Sequence, residues 1–320
     1  MKKVELHCHI DGIVDAEMLR AMAAWGLEPP VSAEQLEAAY PVDGFDAFVR
    51  WEEVQSPLEG GWEWFKPILA MHIERLKAQD VVYAEIAIGS SELPRDQSEA
   101  VERMQEVRQW LNQEEAGRIQ VELLVAFSRH RPPEFAEQLA ERLLPLHEAG
   151  LIAGVVVAGP ERGNPASPFR RALERMRDAG LGIEIHAGEW AGPESVWDAL
   201  ECSPHRIGHG VAVFDDPRLL EQVQKSGIHI EMCPTSNLKT GSIDRIDAHP
   251  VRIANELQLS FSVNTDDPGA FECSMESEFD LLRDLFGFDD AAFERIARNA
   301  LAARFQPELR GPAAELASRF

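Results

Sequence analysis

Basic charge is what this chain has least of. Its 31 lysines and arginines face 55 aspartates and glutamates, a formal net charge of -24 over 320 residues. Such a surface repels phosphate backbones and anionic membranes, which argues against nucleic-acid or lipid partners and leaves a neutral, nucleoside-sized ligand open. Cysteine is scarce too. Cys8, Cys202, Cys233 and Cys273 lie far apart with no C-x-x-C pair, the pattern of reduced thiols rather than of a disulfide framework or a zinc ribbon. No apolar run is long enough to span a membrane, and no apolar core follows Lys2-Lys3, so a cytoplasmic protein is expected. Lysine is missing altogether between Lys77 and Lys225. A low-complexity linker is missing as well, and 45% hydrophobic residues supply material for one large core.

What is present is an alternation of short apolar runs with helical stretches. Strand-like segments fall at 4–10, 81–88, 119–127, 152–158, 183–186, 206–209, 228–232 and 259–263. Helical sequence follows each: from Asp15 as N-cap to Gly26, from Ser32 with Gln35 as its capping-box partner, then 98–117, 132–150, 168–180, 193–201, 216–227 and 249–257. The helices end repeatedly in Ala-Gly or Ser-Gly, as at Ala149-Gly150 and Ser226-Gly227. Near-continuous apolar strands alternating with helices argue for a parallel sheet. Eight such units predict a (β/α)8 TIM barrel over residues 1–320, with a doubly wound sheet as the alternative. Residues 30–78 are too long for a simple connection and carry Phe45, Phe48, Trp51, Trp62, Trp64 and Phe65, interrupted by Gly60-Gly61. They read as a helical insertion after strand one, packing most of its aromatics into a core and able to form a lid. Residues 291–320 read as helical and closing the barrel.

Catalytic groups of such a barrel belong at the C-terminal ends of its strands. There the sequence places His7 and His9, His186-Ala187-Gly188-Glu189, Gly208-His209-Gly210, Cys233-Pro234-Thr235-Ser236-Asn237 and Asp266-Asp267. His7 and His9 are two apart, so on a strand both imidazoles share a face while Cys8 points into packing. With His186 and Asp266 they make three nitrogens and one carboxylate oxygen, a set that suits zinc with one position open. The missing lysines leave no bridging carboxylated lysine on strand four, so one zinc, or another divalent metal, is expected per chain. His209 can take a proton from the attacking water or hold that water in place, Glu189 can donate one to the substrate, and Asp267 can orient the water.

Together, His7-x-His9-x-Asp11-Gly12, His186-Ala-Gly-Glu189, Gly208-His209-Gly210, Cys233-Pro-Thr-Ser-Asn237 and Asn264-Thr-Asp-Asp267 resemble the adenosine deaminase family of the amidohydrolase superfamily. The resemblance implies a zinc-dependent barrel enzyme that replaces the 6-amino group of adenine with oxygen. It implies zinc on His7, His9, His186 and Asp266, protonation of purine N1 by Glu189, help from His209, and Asp267 on the water and N7. It places the backbone N–H of Gly159 at N3, and makes Phe45 a match for a lid aromatic. Asp11 stands where adenosine deaminases have an aspartate facing the ribose 5′-hydroxyl and adenine deaminases a glutamate, so a purine nucleoside is the expected small-molecule substrate. On its own, Asp11 is also an ordinary turn residue before Gly12. Adenine, 5′-modified adenosines such as methylthioadenosine or aminodeoxyfutalosine, and N6-methylated or phosphorylated forms are the alternatives. A phosphate would want basic rim residues, and the motif loops offer only Lys239 and Arg245. Ala87 and Val156 depart from the family, which has an arginine and an aspartate there; a pair lost together would leave no single buried charge. A zinc-binding barrel without catalysis would have no use for Glu189, His209 and Asp267.

Overall fold

A parallel pair of strands cannot be joined by a tight hairpin, so each crossover must return over the sheet, and a helix is the usual vehicle. The computed structural model, which describes residues 1–320, has eight parallel strands neighbouring one another in chain order. They are β1 (Lys3–Glu5), β2 (Val81–Gly89), β3 (Gln120–Ser128), β4 (Gly154–Ala158), β5 (Gly182–Ala187), β6 (Arg206–His209), β7 (His229–Met232) and β8 (Phe261–Val263). This is a (β/α)8 barrel, not a doubly wound sheet, since strand order never reverses.

The ring is completed where the motifs lie. Asp266 donates its N–H to the carbonyl of His7 at 3.0 Å, and its own carbonyl accepts from His9 N–H at 2.9 Å. Asn264 Oδ1 accepts from Leu6 N–H at 3.0 Å, and the Thr265 hydroxyl donates to Glu5 at 2.9 Å. The sequence Asn264-Thr265-Asp266 is therefore the seam that stitches the last strand to the first. β1 itself stops at Glu5, shorter than the expected run to residue 10. His7 and His9 continue as irregular chain bonded on one side to Asp266 and on the other to Ala87.

Below the seam, the barrel interior is charged. Buried Arg206 meets Glu85 at 2.6 Å, Glu184 at 3.0 Å and Glu231 at 2.6 Å. The C-terminal region is helical only at Asp290–Ala303 and Gly311–Ala317, and the stretch between them plugs this end. There the Phe305 ring lies 3.5 Å from the Arg206 guanidinium, and its N–H donates to Glu85 at 2.7 Å.

The insertion forms three helices, Ala33–Glu37, Phe45–Gln55 and Trp62–Ala78. The Ser32–Gln35 capping box is present, and Phe48, Trp51, Trp64 and Phe65 are buried in the main core, as the helical aromatics predicted. Asp15 caps Ala16–Ala24, whereas the helix expected at 249–257 is shorter, Val251–Glu256. Three helices go beyond the sequence expectation, Pro234–Lys239, the short Pro268–Phe271 and Met275–Phe286. The first reads as a polar loop, and the last is capped by Ser274 with Ser277 where a glutamate or glutamine is the usual signal.

Candidate active site

Three ligand-type atoms converge at the seam. His7 Nε2 is 3.2 Å from Asp266 Oδ1 and 3.4 Å from His9 Nε2, and His9 Nε2 is 3.5 Å from the same oxygen. Atoms bound about 2.0–2.1 Å from one tetrahedral zinc stand roughly 3.3 Å apart, so the trio has the spacing of a shared cation. On its far side, His7 Nδ1 faces Glu184 at 2.9 Å and Glu231 at 3.3 Å, which turns Nε2 towards the cavity. Alternation put Glu184 on the face of His186 two residues on, a signal present in the sequence but not used.

His186 stands beside this trio, not within it. Its ring centroid is 4.6 Å from that of His7, its Nδ1 is 3.3 Å from His209 Nε2, and its Nε2 is buried without a hydrogen-bond partner. That nitrogen, 3.7 Å from Glu184 Oε1, belongs to a buried imidazole beside the trio, and with it the donor set fits a divalent metal. Gly208 lets these rings meet: a Cβ there would fall 2.9 Å from His7 and 3.0 Å from His186. Cys8 points away into the core, as expected.

The groups expected to handle protons are adjacent. His209 Nε2 lies 3.4 Å from Glu189 Oε2, and Asn237 holds the other ring nitrogen at 3.2 Å. Asp267 is buried against Gly12, where a Cβ would fall 1.8 Å from its carboxylate. Burial, reinforced by the Asp266 and Glu161 carboxylates, pushes Glu189 well above the usual carboxylate range. Asp267 is raised by burial and by Asp266, Asp11 and Glu52. Burial works to raise Asp266 as well, but His7 and His209 outweigh it and hold this carboxylate low. Burial lowers His209 to about 3, keeping its imidazole neutral. Raised carboxyls at Glu189 and Asp267 thus stand beside the Asp266 carboxylate and a neutral imidazole, which is the division acid–base chemistry requires.

All of these groups except His7 line a cavity of about 410 Å³, together with Asp11, Phe45, Phe48, Glu52, Glu59, Ser128, His130, Arg131, Gly159 and Trp190. Phe45 is 40% exposed and packs edge-on against Trp190 at 4.8 Å, at the mouth. The basic residues lining the cavity are Arg131 and His130 from the end of β3, not Lys239 or Arg245; Arg245 is paired with Asp247 on the surface. Sequence inspection missed these two because Arg129-His130-Arg131 lies past a strand end that bears no motif.

The adenosine deaminase family profile matches residues 2–313. The chain belongs to the adenosine deaminase family. It is 32% identical over 313 residues to an adenine deaminase of Rhizobium leguminosarum bv. trifolii, covering 96% of each. Among solved structures it resembles an adenine deaminase from Arthrobacter aurescens, with 25% identity, a TM-score of 0.83, and 99% and 97% of the two chains covered. It also resembles an N6-methyl-AMP deaminase from Arabidopsis, with 25% identity, a TM-score of 0.82, and 99% and 96% covered. The family's metal dependence agrees with the donor set. Ala87 and Val156, expected to depart from the family's charged pair, join Leu124 and Ala153 in one small apolar cluster. No helix of the chain is long and apolar enough to cross a membrane.

Proposed function

We propose that this protein is a hydrolytic deaminase that converts the 6-amino group of adenine to a 6-oxo group, giving hypoxanthine and ammonia. The observation that carries the reading is the convergence of the His7–His9–Asp266 trio with Glu189, His209 and Asp267 at one end of one cavity. His7, His9, His186 and Asp266 would hold a single zinc, or another divalent metal. Bound there, it supplies a Lewis acid that lowers the pKa of water towards about 7. Glu189, protonated through its raised pKa, gives its proton to ring N1 and makes C6 electrophilic. Neutral His209 accepts a proton from the attacking water as the C6–O bond forms, and Asp267 hydrogen-bonds N7 and that water. The C6–N bond then breaks, the amine leaves as ammonia with the proton held by His209, and the remaining water proton passes to the Glu189 carboxylate as the 6-oxo group forms. The N–H of Gly159 meets N3, and Phe45, with the rest of the insertion, covers the ligand.

The expectation of adenosine rested on Asp11. The relatives named adenine deaminase, aligned over nearly their whole length, favour the free base instead. A phosphate is disfavoured because Asp11, Glu52 and Glu59 line the same cavity and none of them is paired with a lysine or arginine. Arg131 and His130 supply the one observation for a second reading, a substrate carrying a phosphate. Ammonia release by zinc-loaded protein from adenine, adenosine, 2′-deoxyadenosine, methylthioadenosine and AMP, run in parallel, tests these readings. Turnover of adenine at least tenfold faster than of any nucleoside supports the free base. Preference for a nucleoside restores the Asp11 argument, and preference for AMP supports the second reading. If adenine is preferred, Asp11→Glu should leave that preference in place.

A further inference from the structure

The loop that carries Glu189 is held by a side chain that the proposed reaction does not use. Glu161 follows Gly159 by two positions, on the turn after β4, and is only 5% exposed. Its Oε2 accepts three successive backbone N–H groups, from Glu189 at 3.1 Å, Trp190 at 2.6 Å and Ala191 at 2.8 Å. Its Oε1 accepts the N–H of Gly188 and the hydroxyl of Ser195. Five donors converge on one side-chain carboxylate, the arrangement that backbone nests use to hold anions. From the other side, the buried Arg129 guanidinium donates to the carbonyl of His186. Segment 186–191 is clamped at both ends of its peptide dipoles.

We propose that Glu161 is the positioning residue for the proton donor: it locks the Glu189 loop of β5 to the Gly159 turn of β4. This rests on the functional reading above, in which Glu189 addresses N1 and Gly159 addresses N3 of one six-membered ring. Those two contacts come from different strands, yet the ring fixes their separation. A single carboxylate bonded to one loop and covalently continuous with the other sets that separation before substrate arrives. Misplacement of a reacting group by about 1 Å costs on the order of 10²-fold in rate, so the lock acts on turnover more than on affinity.

Glu161→Gln tests it. A glutamine keeps the shape, but replaces one acceptor oxygen with an NH₂ that faces the N–H groups. The expected result is a fall in kcat on adenine of about 10²-fold with KM within roughly threefold, and unchanged metal stoichiometry. Amide hydrogen exchange should speed up at residues 188–191 and stay constant in the other strand-end loops. Ser195→Ala, which removes one donor of the five, should keep activity within severalfold. Unchanged exchange at 188–191, equal loss in kcat and affinity, or exchange rising across the whole chain would overturn the proposal. Should the unmodified protein release no ammonia from any 6-aminopurine, the functional reading fails, while the exchange comparison still decides whether Glu161 holds the loop.

Discussion

Asp266 and His209 are non-glycine residues in the left-handed region, with φ of 62° and 61°. Such backbone is costly for a residue with a Cβ and persists where surrounding bonds over-determine it. At Asp266 those bonds are the seam itself, through its N–H to His7 and its carbonyl to His9. The conformation that closes the barrel is the one that aims the Asp266 carboxylate at the two imidazoles. Glu189→Gln keeps the side chain's size but removes the transferable proton, and kcat on adenine should fall about 10²–10⁴-fold with metal content unchanged. Glu278 makes a separate prediction about stability. Burial pushes its carboxyl up to about 7 from an ordinary 4.5, so the folded chain keeps a proton that the unfolded chain has already lost. Stability should therefore fall as pH rises from 4.5 to about 7 and level off above. Glu278→Gln should flatten that window, by at most about 3 kcal/mol, in denaturant titrations at stepped pH.

Elements were legible in proportion to how strongly their periodicity showed. The long strands β2 and β3, fully buried over most of their length, and the capped helix Ala33–Glu37 of the insertion could be read directly. β1 could not, because apolar alternation from Val4 to Ile10 looks the same whether or not the neighbouring ladder continues, and here it is broken by the seam. The helix Pro234–Lys239 was missed because proline, threonine, serine and asparagine read as turn residues, while at a strand end they also open a helix. In the insertion the aromatics divide: Trp51 is fully buried, and Phe45 stands at the mouth against Trp190. Phe45→Ala opens the mouth without touching the His7–His9–Asp266 trio, and should raise KM for adenine severalfold with kcat within about twofold, since it removes binding shared by ground and transition states. A fall in kcat alone would instead place Phe45 against the reacting atoms.

At the scale of the whole molecule, the barrel is built around buried charge. Arg206 binds three glutamates, two of which also hold His7 in place, so the interior and the metal-type trio share one network. Removing one partner of a buried ion pair strands the others and costs about 3–5 kcal/mol. Arg206→Met should show that loss in equilibrium unfolding and weaken zinc binding in a chelator competition, with His7 freed to turn. Metal removal reports on the same coupling. A cation at about 10³ times its dissociation constant adds about 4 kcal/mol to the folded state. Chelation should therefore lower the unfolding midpoint as well as abolish ammonia release, and zinc should restore both.

The sequence by itself determined the eightfold repeat, the family and which side chains sit at strand ends, because burial periodicity and ordered motifs are properties of the chain read locally. It also carried the side chains that gather at the cavity, since each is tied to a strand end by a fixed offset. Only the tertiary structure decided that Asn264 and Thr265 are seam residues, that Arg206 binds Glu85, Glu184 and Glu231, that Glu161 receives four backbone N–H groups, and that Arg131 and His130 face the cavity. Each of these is a contact between elements far apart in the chain, set by barrel register and loop packing, and no local pattern of residue types encodes which of many carboxylates will meet which donors.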